Sequence, residues 1–188
     1  MPHISLATHL PGITGLLEYR TDTALPIREL TQILLRGESS LSEAERELIA
    51  TVVSHGNGCR FCTTAHTAAA DLLLGESDTA KAVKHNPATA LVSDKMKALL
   101  DIARRVQQSG KRVTAEAVAV ARQQGATDRE IHDTVLIASL FCLYNKYVDG
   151  LASTTPDDPA FYRQLAERIV HHGYHRLPGG YDHLKPVQ

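Results

Sequence analysis

Apolar residues recur at three- and four-residue spacing along almost the whole chain, a period that excludes most folds other than a helical one. After Ser42, the positions Leu48, Ile49, Val52 and Val53 mark one face of a helix. Ser42 suits an N-cap, and Glu45 three residues on completes a capping-box pattern. The run stops at Gly56-Asn57-Gly58, residue types that allow positive φ and a sharp reversal. A second helix is predicted from Cys59 or Arg60 to Leu74, stopped by Gly75. The same spacing predicts helices over 94–108, 114–124 and 127–152, the last capped by Thr127 with Glu130 three residues on. Shorter helices are predicted over 13–19 and 27–35, and another over 156–171, where Phe161, Leu165 and Ile169 are spaced by four. No segment alternates apolar and polar residues with β-branched enrichment. The expected fold class is all-α.

A length of 188 residues suits a single domain spanning 1–188. Within it, 41–74 reads as a helical hairpin and 172–188 as an irregular tail. The segment 41–50 loosely parallels 126–133, which makes 127–152 a possible repeat-related helix. Lys and Arg total 20 against 21 acidic residues, a net charge of −1. That balance leaves no electrostatic footprint for nucleic acid and no polybasic membrane patch. No apolar run reaches the ~18–20 residues of a membrane-spanning helix, and Met1-Pro2-His3-Ile4-Ser5 has no secretory character. The expected setting is cytoplasmic.

The chemistry concentrates between Glu47 and His66. Cys59 and Cys62 form a C-x-x-C pair directly after the glycine turn, at the start of a helix. Three-residue spacing puts both sulfurs on one face, close enough for a disulfide with modest adjustment. Free N–H groups at a helix N-terminus favour thiolate over thiol. His66 is one turn beyond Cys62 and can exchange a proton with it directly or through one water. If the two helices fold back on each other, Glu47 comes level with His66, where a carboxylate would orient the imidazole and raise its basicity.

Other chemistries fit these residues less well. Cys59, Cys62 and His66, with His55 as a fourth, could be zinc ligands, but C-x2-C-x3-H on one helix without a second ligand pair is unlike structural zinc sites. Haem attachment requires His directly after the second cysteine, where Thr63 stands. A thioredoxin-type pair expects a βαβ context that this chain lacks. Neither a metal nor a cofactor is expected.

The spacing Glu47-x11-Cys59-x2-Cys62-x3-His66 resembles the alkylhydroperoxidase AhpD-like branch of the carboxymuconolactone decarboxylase family, and is similar to its peroxidase-related members of about this length. Weaker similarity extends to 141–150, which resembles a Phe-Asn-Arg-hydrophobic-Ala-Asp segment of those relatives. The resemblance implies an AhpD-like helical bundle that assembles into trimers or hexamers. It also implies thiol-dependent reduction of a hydroperoxide substrate, with Glu47, Cys59, Cys62 and His66 as the catalytic set. In that scheme Cys62 attacks the peroxide and Cys59 closes the disulfide. A lipoyl- or thioredoxin-type dithiol donor then reopens it at the more exposed sulfur, expected to be Cys59. One departure stands out: Phe61 occupies the place of a histidine that assists proton transfer in alkylhydroperoxidase D. Rival readings are a decarboxylase-type lyase, which needs no redox cysteines, and a redox-sensing oligomer without turnover.

The remaining candidates read as structural. Cys142 shares a stripe with Ile131, Val135 and Ala138, which suits a core cysteine. His132 should be on the surface, and His55 reads as a capping or solvent residue beside the turn. Tyr144 and Asn145 fall near the site only if the fold follows the family. The tail, with His171, His172, His175 and His183, reads as solvated and loose, or packed on a neighbouring subunit.

Overall fold

Two capping boxes start the helices around which the molecule is built. A computed structural model describes Met1–Tyr181. At Ser42 the hydroxyl accepts from the Glu45 amide at 3.2 Å, and the Glu45 carboxylate accepts from the Ser42 amide at 2.8 Å, opening α3 (Glu43–Gly56). Thr127 and Glu130 repeat the arrangement at the start of α8 (Asp128–Gly150). Each cap satisfies amides that the first turn would otherwise leave open.

Nine α-helices and no strand occur among the described residues, in accord with the expected class. The others are α1 (Gly12–Tyr19), α2 (Thr21–Arg36), α4 (Arg60–Leu74), α5 (Asp78–His85), α6 (Asp94–Gln108), α7 (Ala115–Gln123) and α9 (Pro159–His172). No helix among these residues is long and apolar enough to cross a membrane.

Helix α3 is the centre of the packing. It is buried along almost its whole length, with α4, α6 and α8 against it. Leu48, Ile49, Val52 and Val53 lie in one large cluster with Leu99, Leu100 and Ile102 of α6 and Ile137 and Phe141 of α8. Each such side chain contributes roughly 1.5–3 kcal/mol by leaving water. Helix α9 packs on the outer side of α4 and carries Ile169 into a smaller cluster with Ala69.

Two elements depart from expectation. Helix α2 begins at Thr21 rather than near 27 and runs through Pro26. The Ala24 amide donates to Arg20 O at 3.1 Å, and Asp22 in the first turn accepts from the Thr23 amide at 2.9 Å, so the helix is under way before the proline. Helix α5 was not expected, because only Ala80 and Val83 of its eight residues are buried. Glu76 supplies its start by accepting from the Asp78 and Thr79 amides.

The described part of the tail folds back onto its own chain. Gly173 has φ +68°, and a Cβ there would lie 2.3 Å from the Gln32 side-chain oxygen. That same oxygen accepts from the Tyr174 amide at 2.7 Å. Arg176 bonds Glu18 at 2.8 Å, and the Tyr181 hydroxyl accepts from Arg28 at 3.2 Å. Aromatic rings with a polar tip drive the docking, since the ring can be buried while its hydroxyl is bonded. His171, His172 and His175 stay exposed, whereas His183 lies outside the described residues.

Candidate active site

The Gly56-Asn57-Gly58 turn is held from three sides. Gly58 takes φ +72°, which reverses the chain and lets the Cys59 amide donate to Ser54 O at 3.1 Å. Asn57 donates to the Asn145 carbonyl oxygen at 2.8 Å and accepts from Gln107 at 2.9 Å. Asn145 in turn donates to Ser54 Oγ at 3.1 Å. This amide network ties the turn to α6 and α8 and fixes where α4 begins.

Cys59 is the N-cap residue of α4 and Cys62 lies in its first turn. Both are free thiols, and both are buried, at 0% and 2% exposure. The expectation that Cys59 is the open sulfur is therefore corrected. It sits behind the site in a cluster with Leu16, Phe61, Val148 and Tyr162, because α1, α8 and α9 close over the turn. The sulfurs share a hydrogen bond, with opposite effects. Accepting from Cys62 holds the Cys59 thiol below its ordinary pKa, whereas donating that bond, together with burial, pushes Cys62 well above. Acidification at the helix start thus falls on Cys59. The Asn145 side chain partly offsets the rise at Cys62.

The carboxylate of Glu47 is wholly buried and holds three donors. His66 Nδ1 lies 2.7 Å from Oε2, while Arg36 Nη2 and the Tyr174 hydroxyl each donate to Oε1 at 2.6 Å. The folded hairpin thus sets Glu47 level with His66, as the spacing predicts. Burial pushes the Glu47 carboxyl up, but His66, Arg36 and Tyr174 together outweigh it and hold the pKa below the ordinary range. Because an ionised carboxylate only accepts, Nδ1 carries a proton and Nε2 is left for proton exchange. The ring is fixed edge-on to Phe141 at 4.5 Å and nearly parallel to Tyr174 at 6.3 Å.

A small cavity of about 50 Å³ adjoins these groups, lined in part by Cys62, His66, Phe61, Phe141, Tyr144 and Tyr174. One water needs ~10–15 Å³ by this measure, so water or a peroxide group fits. Phe61 forms an apolar wall, packed on Tyr162 at 5.9 Å and on Phe161 at 6.3 Å. Tyr144 reaches the cavity and bonds Thr31 at 2.6 Å, whereas Asn145 serves the turn.

Other candidates lie elsewhere. His55 is exposed and meets His85 edge-on at 5.8 Å, away from the thiols. His132 is exposed, as expected. Cys142 is partly buried against the main cluster, with Asn57 Nδ2 at 3.5 Å from its sulfur. Sequence reasoning missed Arg36 and Tyr174. Arg36 stands in no motif, and the signal for Tyr174 was only an aromatic residue in an otherwise polar tail.

Fold and site together define a helical dithiol protein with a buried carboxylate–histidine pair. The sequence profile of the carboxymuconolactone decarboxylase family matches residues 24–105. An uncharacterised peroxidase-related protein from Silicibacter sp. TM1040 superposes with a TM-score of 0.74 at 27% identity, covering 81% of this chain and 78% of its own. An uncharacterised peroxidase-related protein from Ralstonia eutropha JMP134, described as an alkylhydroperoxidase AhpD core, gives 0.74 at 24% identity, covering 83% and 80%. A protein of unknown function from Agrobacterium tumefaciens gives 0.66 at 17%, covering 84% and 100%. No curated protein matches the sequence. Residues 24–105 thus carry the sequence pattern of the carboxymuconolactone decarboxylase family, on a helical fold shared with the peroxidase-related structures. These likenesses suggest an enzyme-related role.

Proposed function

We propose that the protein is a thiol-dependent peroxidase that reduces a hydroperoxide through a Cys59–Cys62 dithiol cycle. The observation that carries this reading is that Cys62 and His66 face one cavity, with Glu47 bonded behind the imidazole. Cys59 lies beside Cys62 on the packed side. A lyase would have no use for two hydrogen-bonded thiols at that place.

Nε2 of His66 takes one proton from the thiol pair, and Glu47 stabilises the imidazolium. The remaining proton moves to Cys59, which leaves the charge on Cys62. The Cys62 thiolate attacks a peroxide oxygen, the O–O bond breaks, and His66 returns its proton to the departing alkoxide. Cys62 is then a sulfenic acid and the alcohol leaves. The Cys59 thiol displaces water from it, and the Cys59–Cys62 disulfide forms. An external dithiol reduces that disulfide by exchange and leaves oxidised. With both sulfurs buried, the donor gains access only when the packing over the turn opens. The active form is proposed to be a homo-oligomer.

The test is oxidation of the Cys59→Ser protein by one equivalent of peroxide, followed by sulfenate trapping and mass spectrometry. The adduct is expected on Cys62, and its absence there refutes the assignment. Activity that survives complete thiol alkylation would point to the lyase instead.

A further inference from the structure

Two arginines reach the small cavity beside Cys62 with N–H groups that no described residue accepts. Arg28 and Arg168 both line it. The Nε of each, and Nη1 of Arg168, are buried without a hydrogen-bond partner among the described residues. Arg28 directs its other nitrogens at Glu18, 3.1 Å away, and at the Tyr181 hydroxyl, 3.2 Å away, with its side chain only 6% exposed. Arg168, on α9, has its guanidinium 5.4 Å from the centre of the Tyr181 ring. Burying such donors unbonded is costly, and a planar guanidinium fork matches a carboxylate.

Beyond Arg168 the space widens. A second cavity of about 550 Å³ shares Thr14, Leu165 and Arg168 with the first, and Leu10, Phe161 and Leu177 give it apolar walls. Sites for small organic ligands commonly measure ~300–1,000 Å³. Glu167, His171 and His172 also face it but are exposed, so the desolvated charge on the shared wall is that of Arg168. Apolar space leading to buried guanidinium donors, with a thiol just beyond, suits an amphipathic anion.

We propose that the substrate is an organic hydroperoxide with a carboxylate near its peroxide group. The carboxylate is held by Arg168 with Arg28 behind it. The apolar body fills the larger cavity, and the peroxide reaches Cys62. This assignment of substrate class rests on the peroxidase reading, but the carboxylate site is testable without it.

The experiment is calorimetric titration of the reduced full-length protein with octanoate and with octanol. Octanoate is expected to bind at least about tenfold more tightly, the order of a charge-assisted bidentate pair. Arg168→Met is expected to bring the two affinities together, whereas Arg163→Met, an exposed position on the same helix, keeps the preference. Should Arg168→Met not fold, Arg168→Lys carries the test, with a preference below that of the wild type because the fork is lost. Equal binding of octanoate and octanol by the wild type overturns the site. So does a full preference in either Arg168 variant. An intact octanoate preference with no turnover of any peroxide supports the carboxylate site and overturns the peroxidase reading.

Discussion

The Tyr174 hydroxyl donates to the buried Glu47 carboxylate at 2.6 Å, joining residues 127 positions apart in the chain. Tyr174 also lies nearly parallel to the His66 ring, and the Arg36 guanidinium stands 5.1 Å from its ring centre. The tail residue therefore touches every member of the charged group behind the thiols. Burial and the neighbouring Glu47 carboxylate push its phenol pKa well above the ordinary value, so it remains a donor throughout the working pH range.

Tyr174→Phe removes one donor from Glu47 and nothing else of the packing. Hydrogen bonds to charged groups are worth roughly 1.5–3 kcal/mol, and denaturant melts near neutral pH should show a loss of that order. The Glu47 pKa is lowered by folding, so its contribution is present above the ordinary 4.5 and is lost as pH falls through the folded value. Without Tyr174 the folded value rises, and acid destabilisation should begin at higher pH. Melts across the acidic range check this directly.

Glu47→Gln keeps the shape but leaves His66 without its anion and Arg36 with only its 3.4 Å pair to Glu43. Breaking a buried ion pair costs roughly 3–5 kcal/mol, which should be evident in thermal melts. A general base that loses its orienting carboxylate should slow Cys62 oxidation by ~10²–10⁴-fold, read by stopped-flow reaction of the reduced protein with peroxide.

Cys62→Ala removes the donor that acidifies Cys59. The Cys59 thiol should then titrate higher than in the wild type, which ultraviolet thiolate absorbance can follow. In Cys59→Ala the Cys62 thiol should move the other way, downward from its raised value, since a hydrogen bond that holds its proton is gone.

Glu130 should control acid stability far from the thiols. Burial raises its pKa, but the Lys95 ammonium, the Thr127 amide and the Ser40 hydroxyl prevail and hold it at about 2. Its stabilisation is complete above the ordinary 4.5 and disappears as pH falls toward about 2. Glu130→Gln should therefore cost ~2 kcal/mol near neutral pH and almost nothing in strong acid. Urea melts at the two conditions decide it.

Much of this architecture is legible in the chain because its determinants are local. Ser42 with Glu45, Thr127 with Glu130 and the Gly56-Asn57-Gly58 turn each act over a few residues, so spacing alone places helices α3, α4 and α8. Glu47 and His66 belong to that legible part, since a hairpin of near-equal arms sets them level. Arg36 and Tyr174 do not, because their distance from the site is set by how α2 and the tail dock, which no local pattern encodes. The burial of Cys59 was hidden for the same reason: a residue after a polar turn looks open until α1, α8 and α9 close over it.

Because Glu47 takes donors from α2, from α4 and from a residue near the chain's end, the order of synthesis bears on its chemistry. A ribosome delivers Cys59 and Cys62 more than a hundred residues before Tyr174. Until then the buried Glu47 carboxylate lacks the third of its donors, and the bonds from Arg36 and His66 alone hold its charge.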